Sequence, residues 1–370
     1  TKIEEYIDFG EYFIFDSANV LTMIFTLKKT ENIDDYYCEY SKILDKTIKE
    51  ENVKEFLNKV PNEKTLSYKS LMINENLIDN TIVFLDNDIK SILNKIEEKK
   101  NFLLDEKEEI AQGIVTPNDS VNKKSLEILG KNYKLNDGIF NLTTKELEYF
   151  NLNQNELEII KPLYTSNEIN RYCTHKENSK WIIYTDSSFK NEDKINDYPN
   201  IKYHLDKFKK VISSENKPYG LHRARNEYFF KGNKILSLRK CVNRPLDSYV
   251  NQAYYVIKSN RINLKYLTAL LNSQIITFWL KYKGKMQGNN FQIDKEPLLN
   301  LPILNIENNN TLINNISKLV DKIIIISRHN STGDIEEIVK LENSLNKIFY
   351  ELYNLNDDDI NKMIEFIKEV

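Results

Sequence analysis

An α+β chain built from several small units is what the sequence predicts, on three observations. It opens on strand-like text, EYIDFG, FIFD and VLTMIFTLKK, with β-branched and aromatic residues around turn signals at Gly10 and Asp16. Its middle mixes short strand-like runs, IIYTD and KILSLRK, with helical text such as NIKYHLDKFKKVI. It closes on two amphipathic stripes, Leu312, Ile313, Ile316, Leu319, Val320 and Ile323, then Ile338, Leu341, Leu345, Ile348 and Leu352.

Between these landmarks, helix-forming charged text runs from about Ser41 to Leu104, with Ile92, Leu93 and Ile96 at helical spacing. Thr116, Pro117 and Asn118 break that pattern and mark a boundary. LKYLTALLNSQIITFWLKY predicts one long apolar helix stopped by Gly284, with Pro297 and Pro302 closing the segment. A loop around Gly333 makes the last two helices an antiparallel pair. At 370 residues the chain exceeds one compact core. The expected divisions are 1–30 (strands), 31–115 (a helical connector), 116–303 (a mixed α/β domain) and 304–370 (a helical segment).

No run of 18 apolar residues occurs and TKIEEYIDFG has no basic flank before an apolar stretch, which predicts neither membrane insertion nor secretion. Cys38, Cys173 and Cys241 are odd in number and far apart, as suits a reducing cytoplasm, and they make no metal-ligand spacing with His175, His204, His222 or His329. Glu98 and Lys100 have the acid-x-lysine spacing of some nucleases, but they lie in helical, highly charged text without a strand-borne partner acid.

The formal net charge of −3 conceals a division. Positions 201–295 hold 19 Lys+Arg against 5 Asp+Glu, leaving 33 basic and 50 acidic residues elsewhere. Five of the 7 arginines, Arg223, Arg225, Arg239, Arg244 and Arg261, fall in this segment. A guanidinium forks onto phosphate or onto the guanine edge as an ammonium does not. Tyr219, Tyr228, Phe229, Tyr249, Tyr254, Tyr255 and Phe291 interleave with the basic residues, which favours a polyanion surface over an ordinary solvated face. Following Lys217 and Tyr219, the residues His222, Arg223 and Arg225 alternate on what reads as one face of an extended stretch. The competing reading buries Arg223 or Arg225 in an ion pair with Glu227 or a distant acid. Arg239, Lys240 and Arg244 follow the strand KILSL and read as loop residues that contact bases. In KYKGKMQGNN, Lys283 and Lys285 supply charge, while Gln287, Asn289 and Asn290 supply amides able to pair with adenine. A helix-ending loop packed on its own domain is the alternative there.

These residues also carry a resemblance. KPYGLHRARNEYFFKGNKILSLRK, then YVNQAYYVI, then LKYLTALLNSQIITFWLKYKGKMQGNNFQIDKEPLLNLPI, resembles the TaqI-like C-terminal specificity domain of adenine-specific DNA methyltransferases from type II and type IIG restriction-modification systems. QGIVTPNDSVNKK, GIFNLTTKELEYFNL and EIIKPLYTSNEINRY resemble the region preceding it, and LENSLNKIFYELYNLNDDDINKMIEFI the helical ending of such enzymes. The likeness implies sequence-specific recognition of double-stranded DNA and an upstream methyltransferase domain that uses S-adenosylmethionine, in some relatives fused to an endonuclease. IDFGEYFIFDSANVLTMIFTLKK resembles the last strands of that catalytic domain. The resemblance would let Phe13 or Phe15 stack on a flipped adenine, although packing within the strand pair is the plainer expectation. No glycine-rich loop follows a strand and no two prolines are adjacent, so no cofactor and no catalytic residue is expected in this chain. A scaffolding or protein- or RNA-binding module of a phage-defence complex is the alternative from another class. If six to eight basic side chains meet phosphates, log affinity for duplex DNA falls against log salt with a slope of about −5 to −7, measurable by filter binding.

Overall fold

The computed structural model describes all residues except 31–35, 73–83, 175–176, 213–218, 238–240, 245, 288–289, 293, 329–331 and 369–370. For 241–244, 285–287, 290–292, 332–333 and 368 only the backbone is described.

The chain begins with β1 (Lys2–Asp8), β2 (Met23–Lys28), β3 (Tyr36–Ile43), α1 (Glu50–Leu57) and β4 (Thr65–Met72). They form a sheet in the order β2-β1-β3-β4, parallel only between β1 and β3. One face packs Ile7, Ile43, Val53 and Phe56 into a small core with α1. On the other, Tyr6, Tyr40 and Tyr68 are register partners, and the Phe84 ring covers Tyr6 and Tyr40 at 4.5 and 4.9 Å. Two expectations are corrected here. The span 31–115 is not only helical, since β3 and β4 extend the first sheet. FIFD is not a strand. Gly10, at φ +56° with its amide bonded to Asp8 Oδ1 (2.8 Å), turns the chain into a loop, and Phe13 and Phe15 are exposed rather than packed.

Next come α2 (Asn87–Glu98), β5 (Ile110–Gln112), α3 (Lys123–Leu129), β6 (Asn141–Thr143), α4 (Thr144–Glu148), α5 (Gln154–Glu158), β7 (Ile160–Tyr164), β8 (Lys180–Ile183), α6 (Pro199–Asp206), β9 (Lys234–Ser237), β10 (Cys241–Arg244), β11 (Tyr249–Val250) and β12 (Tyr255–Ile257). In α2 the stripe Ile89, Ile92, Leu93 and Ile96 is buried as the spacing predicts, and Asp86 caps the first turn by accepting the Ile89 amide (2.8 Å). The antiparallel sheet β10-β9-β12-β5 lies between two cores. Ile235 and Ile257 face the helical core, whereas their neighbours Leu236 and Val256 face the other, because successive strand residues point to opposite sides. That second core is closed by the sheet β11-β7-β8-β6 and by Ile201 and Leu205 of α6.

The remaining elements are α7 (Leu264–Leu271), α8 (Gln274–Lys283), a hairpin of β13 (Lys285–Gln287) and β14 (Asn290–Gln292), α9 (Lys295–Asn300), α10 (Asn310–Ser327), α11 (Thr332–Leu352) and α12 (Asp357–Lys368). The predicted long helix is two. Ser273 Oγ accepts the Ile276 amide and starts α8 afresh, and the Asn272 carbonyl is taken by the Arg171 guanidinium. Both C-terminal stripes pack as expected on the core formed with α7 and α8. Gly333 lies inside the first turn of α11 instead of in a loop.

His204 on α6 is buried between the Phe150 and Phe208 rings, and its Nε2 lies 2.9 Å from the Ile139 carbonyl. A carbonyl can only accept, so that nitrogen carries the proton. Burial pushes the imidazole from 6.5 down to about 4. The unfolded chain therefore takes up a proton between those values that the folded chain refuses. The associated stability is complete above pH 6.5 and falls by about 3 kcal/mol as the pH drops through the window. His204→Gln should flatten urea-denaturation stability between pH 6.5 and 4.5. An unchanged pH dependence contradicts this assignment.

Candidate nucleic-acid interface

The segment leading to β9 is held by three neighbours. The Leu221 amide donates to Thr185 O (2.9 Å), just past β8, and Thr185 Oγ1 donates to Tyr219 O (2.7 Å). Arg223 exchanges two backbone hydrogen bonds with Val115, each 3.0 Å. Tyr184 Oη donates to Arg225 O (3.0 Å). Arg225 then sits at φ +67°, a left-handed conformation uncommon for a residue with a Cβ. Its Nη2 donates to Gln112 Oε1 (2.8 Å) and its Nε to Gly113 O (3.4 Å). This departs from the simple alternation expected for His222, Arg223 and Arg225. The strand face ends at Arg223, and Arg225 folds back half-buried onto the backbone beyond β5 while Arg223 stays exposed.

The result is an open cleft of about 520 Å³ lined by Tyr184, Asp186, Ser187 and the stretch from His222 to Glu227. Burial, together with the neighbouring Arg223 charge, lowers the pKa of Arg225. Two guanidiniums therefore share the site, and among the described residues neither has a carboxylate partner. The expected alternative, a pair with Glu227, is not what the structure shows. Burial would raise the Glu227 pKa, but Lys231 (2.8 Å), the Tyr249 hydroxyl (2.6 Å) and Lys161 (3.3 Å) hold that carboxylate ionised. A second cleft, about 700 Å³, lies over the first sheet; Lys28 pairs there with Glu4 and Lys59 with Glu5 and Glu39, while Lys2 and Lys69 also line it.

Other residues of the basic segment are committed elsewhere. Tyr219 is corrected from the interface to the core. Its ring is buried, and its hydroxyl donates to Asp206 Oδ1 (2.7 Å), which also pairs with Lys209 (2.9 Å). Arg261 is spent on buried Glu109, whose carboxylate also takes the Ser259 hydroxyl. Lys283 lies outside the cleft, 3.7 Å from Glu97 Oε1, which accepts the Trp279 indole N–H at 3.1 Å. Lys265 pairs with Asp321 and Lys295 with Glu106, both at 2.7 Å. Lys217, Arg239, Lys240 and Asn289 lie outside the described residues. Arg244 is the last residue of β10, opposite Lys234, rather than a loop residue. Lys285, Gln287 and Asn290 stand in the β13–β14 hairpin, with Gln287 and Asn290 register partners. Sequence reasoning missed Tyr184, Asp186, Ser187 and Asn226. The only local signal was the end of the strand-like run IIYTD, where Asp186 Oδ1 caps a short turn by accepting the Ser188 amide (2.9 Å).

No protein-family model matches the chain. It is similar to two curated type II methyltransferases of Haemophilus influenzae. With M.HincII it shares 26% identity over 187 residues, 44% of this chain and 37% of the relative. With M.HindII of strain Rd it shares 24% over 217 residues, 52% of this chain and 41% of the relative. The matches thus span well under half the length of either. In fold, all of this chain superposes on 45% of the type IIL restriction-modification enzyme MmeI, solved in complex with DNA, with a TM-score of 0.59 at 14% identity.

The cleft depends on a close approach beneath it. A Cβ at Gly113 would lie 2.1 Å from Asn251 O and 2.6 Å from Val250 O. Gly113→Ala should cost about 1–3 kcal/mol by overpacking and disturb the site through Arg225. A thermal melt within 1 °C of wild type would contradict the packing described.

Proposed function

We propose that this chain is the duplex-DNA recognition portion of an adenine-specific methyltransferase from a type II restriction-modification system, and that DNA seats on the face carrying the Arg223 cleft. The observation that carries the reading is the pair Arg223 and Arg225, two guanidiniums in one open cleft with no carboxylate on either among the described residues. Holding two like charges together is unfavourable unless an electron-rich partner arrives. Similarity to two type II methyltransferases and a fold shared with MmeI support the same reading.

In the parent enzyme, methyl transfer to the adenine amine would belong to an upstream catalytic domain. β2 offers a surface on which such a domain could sit. Met23, Ile24, Phe25 and Leu27 are all about half exposed, and among the described residues β2 has only β1 as a neighbour in its sheet. This chain's contribution is to hold the duplex, with phosphate contacts setting register and base contacts choosing the sequence.

In anisotropy titrations the full chain should prefer duplex DNA to duplex RNA and to single strands. Because Lys231, Lys265, Lys283 and Lys295 are ion-paired, the salt slope should be shallower than about −5. Arg223→Glu should weaken duplex binding at least about tenfold, while Lys347→Glu on α11 leaves it within about twofold. Equal binding to all three nucleic acids, or no effect of Arg223→Glu, contradicts the proposal.

A further inference from the structure

We infer that the Arg223 cleft reads the major-groove edge of a G·C base pair and does not clamp a phosphate. This rests on the duplex-DNA reading and specifies what that site contacts. Arg223 and Asp186 are both exposed, both line the cleft, and no ion pair joins either of them to a charged group among the described residues. The contacts of Asp186 are local, its Oδ1 accepting the amide and hydroxyl of Ser188. A free donor fork and a free acceptor therefore face one cleft without cancelling each other.

A phosphodiester offers only acceptors and a negative charge. It would gain Arg223 but offer no donor to the Asp186 carboxylate that lines the same cleft. Guanine presents O6 and N7 as acceptors while its paired cytosine presents the N4 amine as a donor, so the same two side chains are matched at once. Glu227 does not disturb this arrangement, because Lys161 and Lys231 neutralise it.

The rigidity of the site fits base reading, which needs a fixed fork more than a phosphate contact does. Two bonds to Val115 pin the backbone of Arg223. Arg225 is a positioning residue. Its guanidinium is bonded to Gln112 and Gly113, and Tyr184 holds its carbonyl, which keeps the left-handed turn that ends the Arg223 strand face.

The test is selection of bound duplexes from a randomised pool by the full chain, followed by titrations with every base pair of the selected site varied. Wild type should show one G·C position at which Arg223→Lys and Asp186→Asn each reduce discrimination about ten- to hundredfold, with the salt slope unchanged. Tyr184→Phe should lower discrimination at that same position while the far-ultraviolet spectrum and melting temperature stay near wild type. A uniform loss over all sequences with the slope reduced by about one unit would identify a phosphate contact and overturn the inference while leaving the DNA reading intact. A pool with no preferred position overturns it as well. Absence of salt-dependent duplex binding by wild type would instead overturn the underlying reading.

Discussion

The extended run from Ile110 to Val115 is the constraint on which the Arg223 cleft depends. Its first three residues are β5, the edge of the sheet between the two cores. Gly113 and Ile114 then donate to Tyr254 O and Val250 O, both at 2.8 Å, and Val115 pairs with Arg223. Six consecutive residues thereby join one sheet, the end of β11 and the arginine segment. Only glycine lets the Gly113 backbone come this close to Asn251. The Arg225 guanidinium closes the same junction from the other side, so the cleft is fixed by backbone geometry more than by side-chain packing.

Electrostatics divides the basic segment into two kinds of cation. Lys265, Lys283, Lys295 and Arg261 reach acids outside the segment, namely Asp321, Glu97, Glu106 and Glu109. The acidic remainder of the chain is thus partly the counter-charge of the basic stretch, and these pairs tie the middle of the protein to its helices. Arg223 and Arg225 are different. They sit where their only described partners are uncharged, and such cations retain their attraction for an anionic or electron-rich ligand.

Periodicity made the helical part legible. The stripes of α2, α10 and α11 and the stop at Gly284 follow from spacing and glycine alone. What the linear text hid was decided by single hydrogen bonds and by distant partners. The run from Leu264 to Lys283 is apolar on both sides of Asn272, Ser273 and Gln274, and spacing alone does not show that Ser273 starts a second helix there. β3 and β4 read as helix because their charged residues mask a pairing that only the neighbouring strand supplies. In the candidate cleft, Arg223 stands out in the sequence by its arginine-rich setting, whereas Tyr184 and Asp186 come from the stretch just past β8, some forty residues earlier, and no local pattern predicts the left-handed turn at Arg225. Tyr219 was misread for a related reason, since an aromatic among cations looks the same in sequence whether it faces DNA or fills a core.

The proposed function requires duplex DNA to lie against the mouth of the Arg223 cleft. A photo-crosslinking amino acid at Asn226, exposed on that rim, tests it most directly. With a labelled duplex it should give an adduct that unlabelled duplex competes away, while the same group at Ile335, exposed on α11, should give little. Equal adducts from both positions, or none from Asn226 under conditions where the duplex is bound, would contradict the account.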